Sequence, residues 1–296
     1  MIVLGANRYG KAEVRLVHVT RSEVDGHTLR DLSVSVALSG ALEATHLTGD
    51  NTAVLTTDAQ KNTVFAFAAE HGVAAIEDFA SLLARHFVTT QDAITTARVS
   101  VEEYGWERIA DTGHSFARSG REVRTTMVTV TGEQSWVVSG LRDLVLLNSA
   151  GSEFWGFARD GYTTLAETSD RILATAVNAR WRYAAAPPWD APHWDDTYLT
   201  AREALLTAFA RTHSYSLQQT LYAMGKEVLE TVSPIAEIRL SLPNKHHFEV
   251  DMSPFGLANK GEVYYAADRP YGLIEGTVLR DDTAPADDTA PADEAW

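Results

Sequence analysis

Apolar and polar positions follow two kinds of spacing along the chain, and the two kinds occur in an order that repeats. In the first half, alternation at every second position predicts strands, and apolar residues three and four apart predict helices. These segments are, in chain order, strands at Ala12–Thr20 and Leu29–Leu38, helices at Asp58–His71 and from Ile76 to Phe87, and strands at Ala93–Val101 and Val123–Val130.

The second half repeats this order. Its segments are strands at Trp136–Leu147 and Leu173–Tyr183, helices at Tyr198–Arg211 and Leu217–Leu229, and strands at Ile235–Leu242, His247–Met252 and Glu262–Val278. Antiparallel strands with helices on one face make a two-layer α+β domain. We therefore predict an α+β fold of two tandem domains, each a four-stranded antiparallel sheet with two helices on one face, with the seam near Gly132–Ser135.

The predicted domains span residues 1–134 and 135–280, and a tail follows at 281–296. This tail holds six of the 40 acidic residues and no Lys or Arg, so we predict that it is disordered. The net charge of −15 predicts no nucleic-acid partner, because binding to phosphates needs a basic surface. The absence of cysteine excludes disulfides, thiolate catalysis and cysteine-ligated zinc.

Neither the start of the sequence nor its apolar runs resemble a targeting or membrane-spanning segment. No apolar run approaches the ~18 residues that a membrane span needs. The first residues, Met1 to Asn7, contain no basic segment followed by an apolar one, as an export signal would. We expect a cytoplasmic protein with no membrane partner.

Two motifs suggest chemistry that their context does not support. The stretch from Gly5 to Lys11 matches part of a phosphate-binding loop, but the next residue is Ala12 rather than Ser or Thr, and the segment opens a strand instead of a helix. The adjacent His246 and His247 cannot both ligate one ion from an extended strand, because neighbouring side chains point to opposite faces. We predict no nucleotide hydrolysis and no metal site.

Two predicted helix starts share a capping pattern, in which a hydroxyl residue is followed three positions later by Gln. One runs from Thr57 to Gln60 and the other from Ser216 to Gln219. We predict that the two helix starts occupy comparable places in the two repeats. Free N–H groups at a helix start favour an anion or a carbonyl oxygen. The alternative is that both are ordinary helix caps.

Two further polar features need an explanation. The polar segment from Ser241 to His247 ends a predicted strand, where loops often carry function, although it could be a simple turn. Arg171 lies beside apolar residues and therefore needs a partner. A salt bridge to Asp or Glu is the alternative to a functional role for this arginine.

Taken in order, several segments resemble the signature motifs of urate oxidases. The resemblance extends from about Tyr9 to Val278, nearly all of the predicted folded chain. The matching segments are Tyr9–Lys11, Thr57–Thr63, Gly151–Phe157, Tyr162–Leu165, Asp170–Leu173, Leu217–Gln218 with Met224, Ser241–His246 and Ala267–Ile274.

The resemblance implies a role for each candidate residue in binding urate, a flat anion with carbonyl and N–H edges. Phe154 would stack on its face, and Arg171 would present its planar fork to a carbonyl and a ring nitrogen. Gln218 would bind the alternating donor and acceptor edge, and Asn244 would hold oxygen, or later water, above the ring. The remaining substrate-binding positions would be Thr57 and the backbone N–H groups of Asp58 and Leu217.

Lys11, Thr57 and His246 resemble the family's proton-relay triad. The implied reaction uses O2 as co-substrate. Deprotonated urate gives an electron to O2 and forms a peroxide at its C5 atom, and water then replaces the peroxide to give 5-hydroxyisourate and hydrogen peroxide. Because urate is itself the reductant, the resemblance implies no metal and no other cofactor.

The family fold is a tandem pair of tunnelling-fold (T-fold) domains that assemble as a homotetramer, whose sheets close into a barrel around a tunnel. The resemblance therefore implies active sites shared between neighbouring subunits. Three features depart from the family: the acidic tail, the absence of a Ser-Lys-Leu ending, and the Pro- and Trp-containing loop at 184–196.

Three alternatives stay open beside the resemblance. One is another purine or pterin T-fold enzyme, such as a cyclohydrolase, although those usually need a zinc ligand set with cysteine. Another is a purine-binding protein without catalysis, which the presence of Lys11, Thr57 and His246 disfavours. The third is a duplicated scaffold with no site.

Overall fold

The structure is a computed structural model that describes residues 2–120, 122–183, 193–267 and 269–281. These residues form two compact units. The first comprises residues 2–140 with 182, 183 and 193–195, and the second comprises residues 141–181 and 196–281. The predicted acidic tail and most of the loop at 184–196 lie outside the described residues. In the part of the chain described, no helix has the length and apolar character needed to cross a membrane.

The first unit is an antiparallel sheet with helices packed on it. Its strands lie in the order β1-β2-β3-β6, and strand β7 also begins in this unit. Strands β4 and β5 pair separately as a short hairpin. The elements are β1 (Tyr9–Thr20), β2 (Thr28–Gly40), α1 (Glu43–Thr48), α2 (Thr57–His71), α3 (Ile76–Thr90), β3 (Ile94–Tyr104), β4 (Trp106–Arg108), β5 (Phe116–Arg118), β6 (Val123–Thr131) and β7 (Gln134–Asn148).

Helix α3 shows how the sequence pattern builds the core of this unit. Its apolar residues recur at helical spacing, so Phe79, Leu83 and Phe87 all lie on one face and are at most 3% exposed. That face packs on strands β3 and β6, whose inward positions alternate as expected for a sheet buried on one side. Truncating Phe87 to alanine would cost about 3–5 kcal/mol of stability.

A buried polar cluster of the first unit is centred on Glu77. Glu77 is fully buried and accepts hydrogen bonds of 2.8 Å from Arg124 and from Ser139. Burial raises the pKa of Glu77, and the charge of Arg124 opposes that rise. Arg124 also donates to Asp195 at 2.5 Å, so residues 193–195 are held by charge as well as by packing.

The second unit has the same plan. Its strands lie in the order β7-β8-β9-β12, with β9 and β12 antiparallel. Strands β10 and β11 form a separate two-stranded pair. The elements are the end of β7, β8 (Leu173–Tyr183), α4 (Trp194–Arg211), α5 (Leu217–Thr231), β9 (Ile235–Asn244), β10 (His247–Glu249), a 3-10 turn (Ser253–Phe255), β11 (Tyr264–Ala266) and β12 (Gly272–Leu279).

Helix α5 lies very close to strand β12. A Cβ atom on Gly225 would lie 2.6 Å from the Cγ2 atom of Val278, so only glycine fits at this helix position. Leu221, Met224 and Val228 of the same helix are buried. The close approach fixes α5, and hence its N-terminus, against the second sheet.

Both units carry the same irregularity in their first strand. Glu13 in β1 and Asp143 in β7 have positive φ angles of 56° and 63°. The N–H of Glu13 donates to the Oγ atom of Ser35, and that of Asp143 donates to the Oδ1 atom of Asn178, each on the neighbouring strand. A bulge residue that repeats with the same kind of partner agrees with the duplicated pattern in the sequence.

The predicted α+β class is confirmed, with the strand-strand-helix-helix-strand-strand order present twice. Some segments differ. The short helix α1 was not predicted, and the strand predicted over Glu262–Val278 is divided into β11 and β12. The division falls where Pro270 lacks a backbone N–H for a sheet ladder. The domain bounds at 134 and 280, the homotetramer and the barrel remain predictions.

Candidate functional site

A loop of the second unit carries Phe154 and is tied to the segment before α5. Ser152 and Ser214 are both fully buried and form an isolated parallel bridge. In this bridge the N–H of Glu153 donates to the Ser214 carbonyl at 2.7 Å, and the N–H of Ser214 donates to the Gly151 carbonyl at 3.0 Å. The loop is therefore held near the N-terminus of α5.

Arg171 lies over the ring of Phe154. Its Cζ atom is 4.9 Å from the ring centroid, and its Nε atom donates to the Oγ atom of Ser152 at 3.4 Å. Burial lowers the pKa of Arg171. No carboxylate of the described residues forms a salt bridge with it, so the salt-bridge alternative is wrong for this part of the chain. A partly desolvated cation beside an aromatic ring is a suitable place for a flat anion.

The start of α5 confirms one of the two predicted caps. The Oγ atom of Ser216 accepts a hydrogen bond from the N–H of Gln219, and the Gln219 side chain accepts one from the N–H of Tyr215. The first N–H groups of any helix, here those of Leu217 and Gln218, have no acceptor within the helix. The Leu217 side chain is buried, whereas the Gln218 side chain is exposed.

Asn244 ends strand β9 close to the start of β8. The N–H of Lys245 donates to the carbonyl of Ala174 at 2.8 Å. Asn244 therefore lies near the start of β8, which follows Arg171 in the sequence. His246 precedes β10 rather than lying within it, so the strand geometry used to argue against a histidine pair does not describe this residue. Its ring stacks on Phe248 with centroids 5.7 Å apart. Among the described residues, no three His, Asp or Glu side chains are grouped so as to hold a metal ion.

Lys11 and Thr57 lie together in the first unit. Tyr9, two residues before Lys11 on β1, donates its hydroxyl to the Leu55 carbonyl at 3.0 Å. The buried side chain of Gln60 donates to the same carbonyl at 3.2 Å. These two bonds fix strand β1 to the residues just before α2, which begins at Thr57.

The predicted cap at Thr57 is wrong by one residue. The N-cap of α2 is Thr56, whose Oγ1 atom accepts a hydrogen bond from the N–H of Ala59 at 3.1 Å. Gln60 therefore plays no part in a capping box. The hydroxyl of Thr57, at the first helical position, is left free of the cap. The two helix starts are also not at comparable places, because α2 is the first helix of its pair and α5 is the second.

Two lysines lie near Asp58 in the first turn of α2. Its pKa is lowered, chiefly by a hydrogen bond of 2.6 Å from Lys61, with a smaller contribution from the charge of Lys11. The Lys11 amine is thus near enough to interact with the first turn of α2. Lys11, Thr57 and Asp58 form one group within the first unit.

The structure therefore describes two groups of the predicted site residues. The second unit holds the other group, in which Arg171 contacts Phe154 and the bridge of Ser152 with Ser214 holds the Phe154 loop near the start of α5. Contacts that the sequence did not predict hold each group, those of Ser152 and Ser214 in the second unit and those of Tyr9 and Gln60 in the first. The polar residue types of Ser152, Ser214 and Gln60 were the only sequence signal for these contacts. No periodicity indicates that Ser152 contacts Ser214, or that Tyr9 contacts Leu55, because the partners lie far apart in the sequence. The role of each site residue remains a prediction. The second group is Phe154, Arg171, Leu217, Gln218, Asn244 and His246.

Comparison with known proteins places the chain. The family model described as Uricase matches residues 7–129 and 137–275. The chain is 52% identical to "Uricase" of Arthrobacter globiformis over 280 residues, which cover 95% of this chain and 91% of that protein. It is 37% identical to "Uricase" of Dictyostelium discoideum, with 95% and 98% covered. The crystal structure of uricase from Arthrobacter globiformis superposes with a TM-score of 0.92 at 51% identity, covering 96% of this chain and 97% of that one. The resemblance in the sequence is confirmed, and the chain belongs to the uricase family.

Proposed function

We propose that this urate oxidase binds urate at Phe154 and Arg171 and moves its protons through Lys11, Thr57 and His246. The activity itself follows from the family, and the proposal concerns the residues that carry it. One observation supports it most: Arg171 is a partly buried cation that lies over an aromatic ring and forms no salt bridge with a described carboxylate.

Binding would rearrange the contacts of the Phe154 ring. In the structure this ring stacks on Phe157, with centroids 5.0 Å apart, and Arg171 lies above it. Urate would take the place of Arg171 over the ring, and the guanidinium would turn its planar fork to the substrate edge. A bidentate contact of this kind both orients the purine and neutralises part of its charge.

The helix starts would complete the recognition. The N–H of Leu217 and the side-chain amide of Gln218 would bind the purine edge that Arg171 does not reach. The N–H of Asp58 would bind the opposite edge, next to Thr57. The two N–H donors belong to the backbone, so they lose little freedom when the substrate binds.

Proton transfer would use the Thr57 hydroxyl, which the helix cap leaves free. A hydroxyl donates and accepts, so Thr57 can pass a proton between urate and the Lys11 amine. His246 would exchange a proton with the same chain, and Asn244 would hold O2 and then water. Urate loses two electrons to O2, the peroxide leaves C5 as hydrogen peroxide, and water supplies the new hydroxyl. Since urate supplies both electrons, we propose that no resident metal or other cofactor takes part.

The two groups of residues would meet between neighbouring subunits of a homotetramer. Lys11 and Thr57 come from the first repeat, and Phe154 and Arg171 come from the second. Co-expression of Lys11→Met with Arg171→Met chains tests this. A mixed pair of subunits related by a two-fold axis holds one doubly damaged site and one intact site, so about a quarter of the parent activity should return. No recovery would mean that one chain supplies the whole site.

The first experiment uses purified protein treated with a chelator and mixed with urate in air. Loss of urate absorbance is followed, and peroxide is assayed in the same cuvette. Equal amounts of lost urate and formed peroxide support the proposal, and Lys11→Met should then lose the reaction while still binding urate. Bound but unreacted urate would instead support a purine-binding protein. Absence of binding would refute the proposal.

A further inference from the structure

A short side-chain hydrogen bond joins two segments of the second unit that carry the proposed urate-binding residues. The Nε2 atom of His213 lies 2.6 Å from the Oε1 atom of Glu153. Glu153 immediately precedes Phe154, and His213 lies four residues before Leu217 at the start of α5. The two partners are 60 residues apart in sequence, so the pair is a tertiary link.

The pair supplements the backbone bridge that joins the same two segments. That bridge consists of the hydrogen bonds between Glu153 and Ser214 and between Ser214 and Gly151. Backbone hydrogen bonds that lie along one axis still permit the loop to rotate about that axis. Such a rotation would move the Phe154 ring relative to the N-terminus of α5. A side-chain contact that lies off the axis restrains this rotation.

The surroundings favour an ionised Glu153. The hydrogen bond from His213, and after it the one from the indole of Trp155 at 2.7 Å, lower the pKa of Glu153. The other aromatic neighbour is Tyr215, whose ring centroid is 5.1 Å from that of His213. Arg211 lines the same open surface cavity as His213. None of these groups competes with His213 for the Oε1 atom of Glu153 among the described contacts.

We propose that Glu153 and His213 are positioning residues, whose side-chain hydrogen bond holds the Phe154 loop against the start of α5 so that ring and helix bind urate together. The proposal rests on the proposed function. Neither residue touches the substrate. A displaced Phe154 weakens urate binding, whereas the proton relay of Lys11, Thr57 and His246 is left in place, so binding should suffer more than turnover.

The test compares the parent enzyme with His213→Ala, His213→Gln and Trp155→Phe. Urate binding is measured without oxygen by equilibrium dialysis, and KM and kcat are measured in air. Loss of this half-exposed contact in His213→Ala should raise Kd and KM about fivefold and leave kcat within about twofold. The glutamine variant can still donate to Glu153, so it should regain most of the affinity. Trp155→Phe removes a bond within the loop only, so its Kd should stay within about twofold of the parent.

The outcomes separate this inference from the proposed function. A parent enzyme that binds no urate would overturn both. A His213→Ala variant with the parent's melting temperature, Kd and KM would overturn the inference alone, and so would an equal effect in Trp155→Phe. If His213→Ala does not fold, Glu153→Gln replaces it, because the amide keeps the shape of the side chain and loses only the charge. That variant should raise KM about threefold with kcat retained.

Discussion

Replacing Arg171 should separate urate binding from stability. Arg171 is partly buried, its pKa is lowered by that burial, and no described carboxylate balances its charge. The folded protein therefore bears a desolvation cost that an uncharged side chain of similar length would not carry. In Arg171→Met, we expect the free energy of unfolding to stay the same or rise slightly. Binding of urate should weaken.

The size of the binding loss follows from the contacts that Arg171 would make. Hydrogen bonds to a charged group contribute about 1.5–3 kcal/mol, and a bidentate pair lies in the upper part of that range. A loss of about 2–3 kcal/mol corresponds to a dissociation constant about 30- to 150-fold higher. Arg171→Lys keeps the charge but not the fork, so it should recover only part of this loss.

The assay is anaerobic urate binding by calorimetry, paired with thermal unfolding of the same samples. Arg211→Met is the matched control, because Arg211 is an exposed arginine of the same unit, outside the proposed site. Parent-like urate affinity in Arg171→Met would refute the assigned role. A loss of more than about 2 kcal/mol of stability would show instead that the cation is structural.

Three further predictions concern neighbouring elements. Thr56→Ala should lower the free energy of unfolding by about 1 kcal/mol through loss of the helix cap, whereas Thr57→Ala should lower kcat with a smaller change in stability. Chemical denaturation and steady-state kinetics distinguish the two variants. Burial opposes ionisation of Asp195, but hydrogen bonds from Arg124 and Arg30 outweigh the effect of burial and lower the pKa of Asp195. The stability gained from this lowered pKa is present above pH 3.8 and is lost as pH falls through the folded pKa. The melting temperatures of the parent and Asp195→Asn should therefore converge in acid. Gly225→Ala should destabilise by about 1–3 kcal/mol despite the better helix propensity of alanine, because its Cβ meets Val278, and a parent-like melting temperature would contradict this.

The sequence predicted the elements well where one periodicity runs without interruption. Helix α3 is an example, since its apolar face alone determines its position on the sheet. The prediction was weaker where two local choices are nearly equal. Thr56 and Thr57 can both cap a helix, and the contact of Leu55 with Tyr9 and Gln60 lies just before them. That contact joins residues 46 positions apart, which no local pattern encodes.

The site followed a similar rule. Motif order proposed residues such as Phe154 and Arg171, whose types suit a flat anion. The contacts that hold them were not predictable, because they join distant segments through residues with ordinary local roles. Ser152, Ser214 and the pair of Glu153 with His213 are of this kind. A single sequence therefore proposes which residues carry chemistry, but it does not predict which residues hold them in place.

The duplication bears on the proposal that neither repeat contains a whole site. Both repeats keep the same strand order and the same bulge, marked by Glu13 and Asp143, so the scaffold is shared. The chemistry is not shared. In the proposed site, the first repeat offers an amine and a free hydroxyl at the start of α2, but no aromatic platform for a purine. The second repeat offers the Phe154 ring and the Arg171 cation near the start of α5, but its base would come from the first repeat of a neighbouring subunit. A reaction that needs a platform and a base together then requires both repeats, which is why the co-expression of two differently damaged chains is the sharpest test of how the site is assembled.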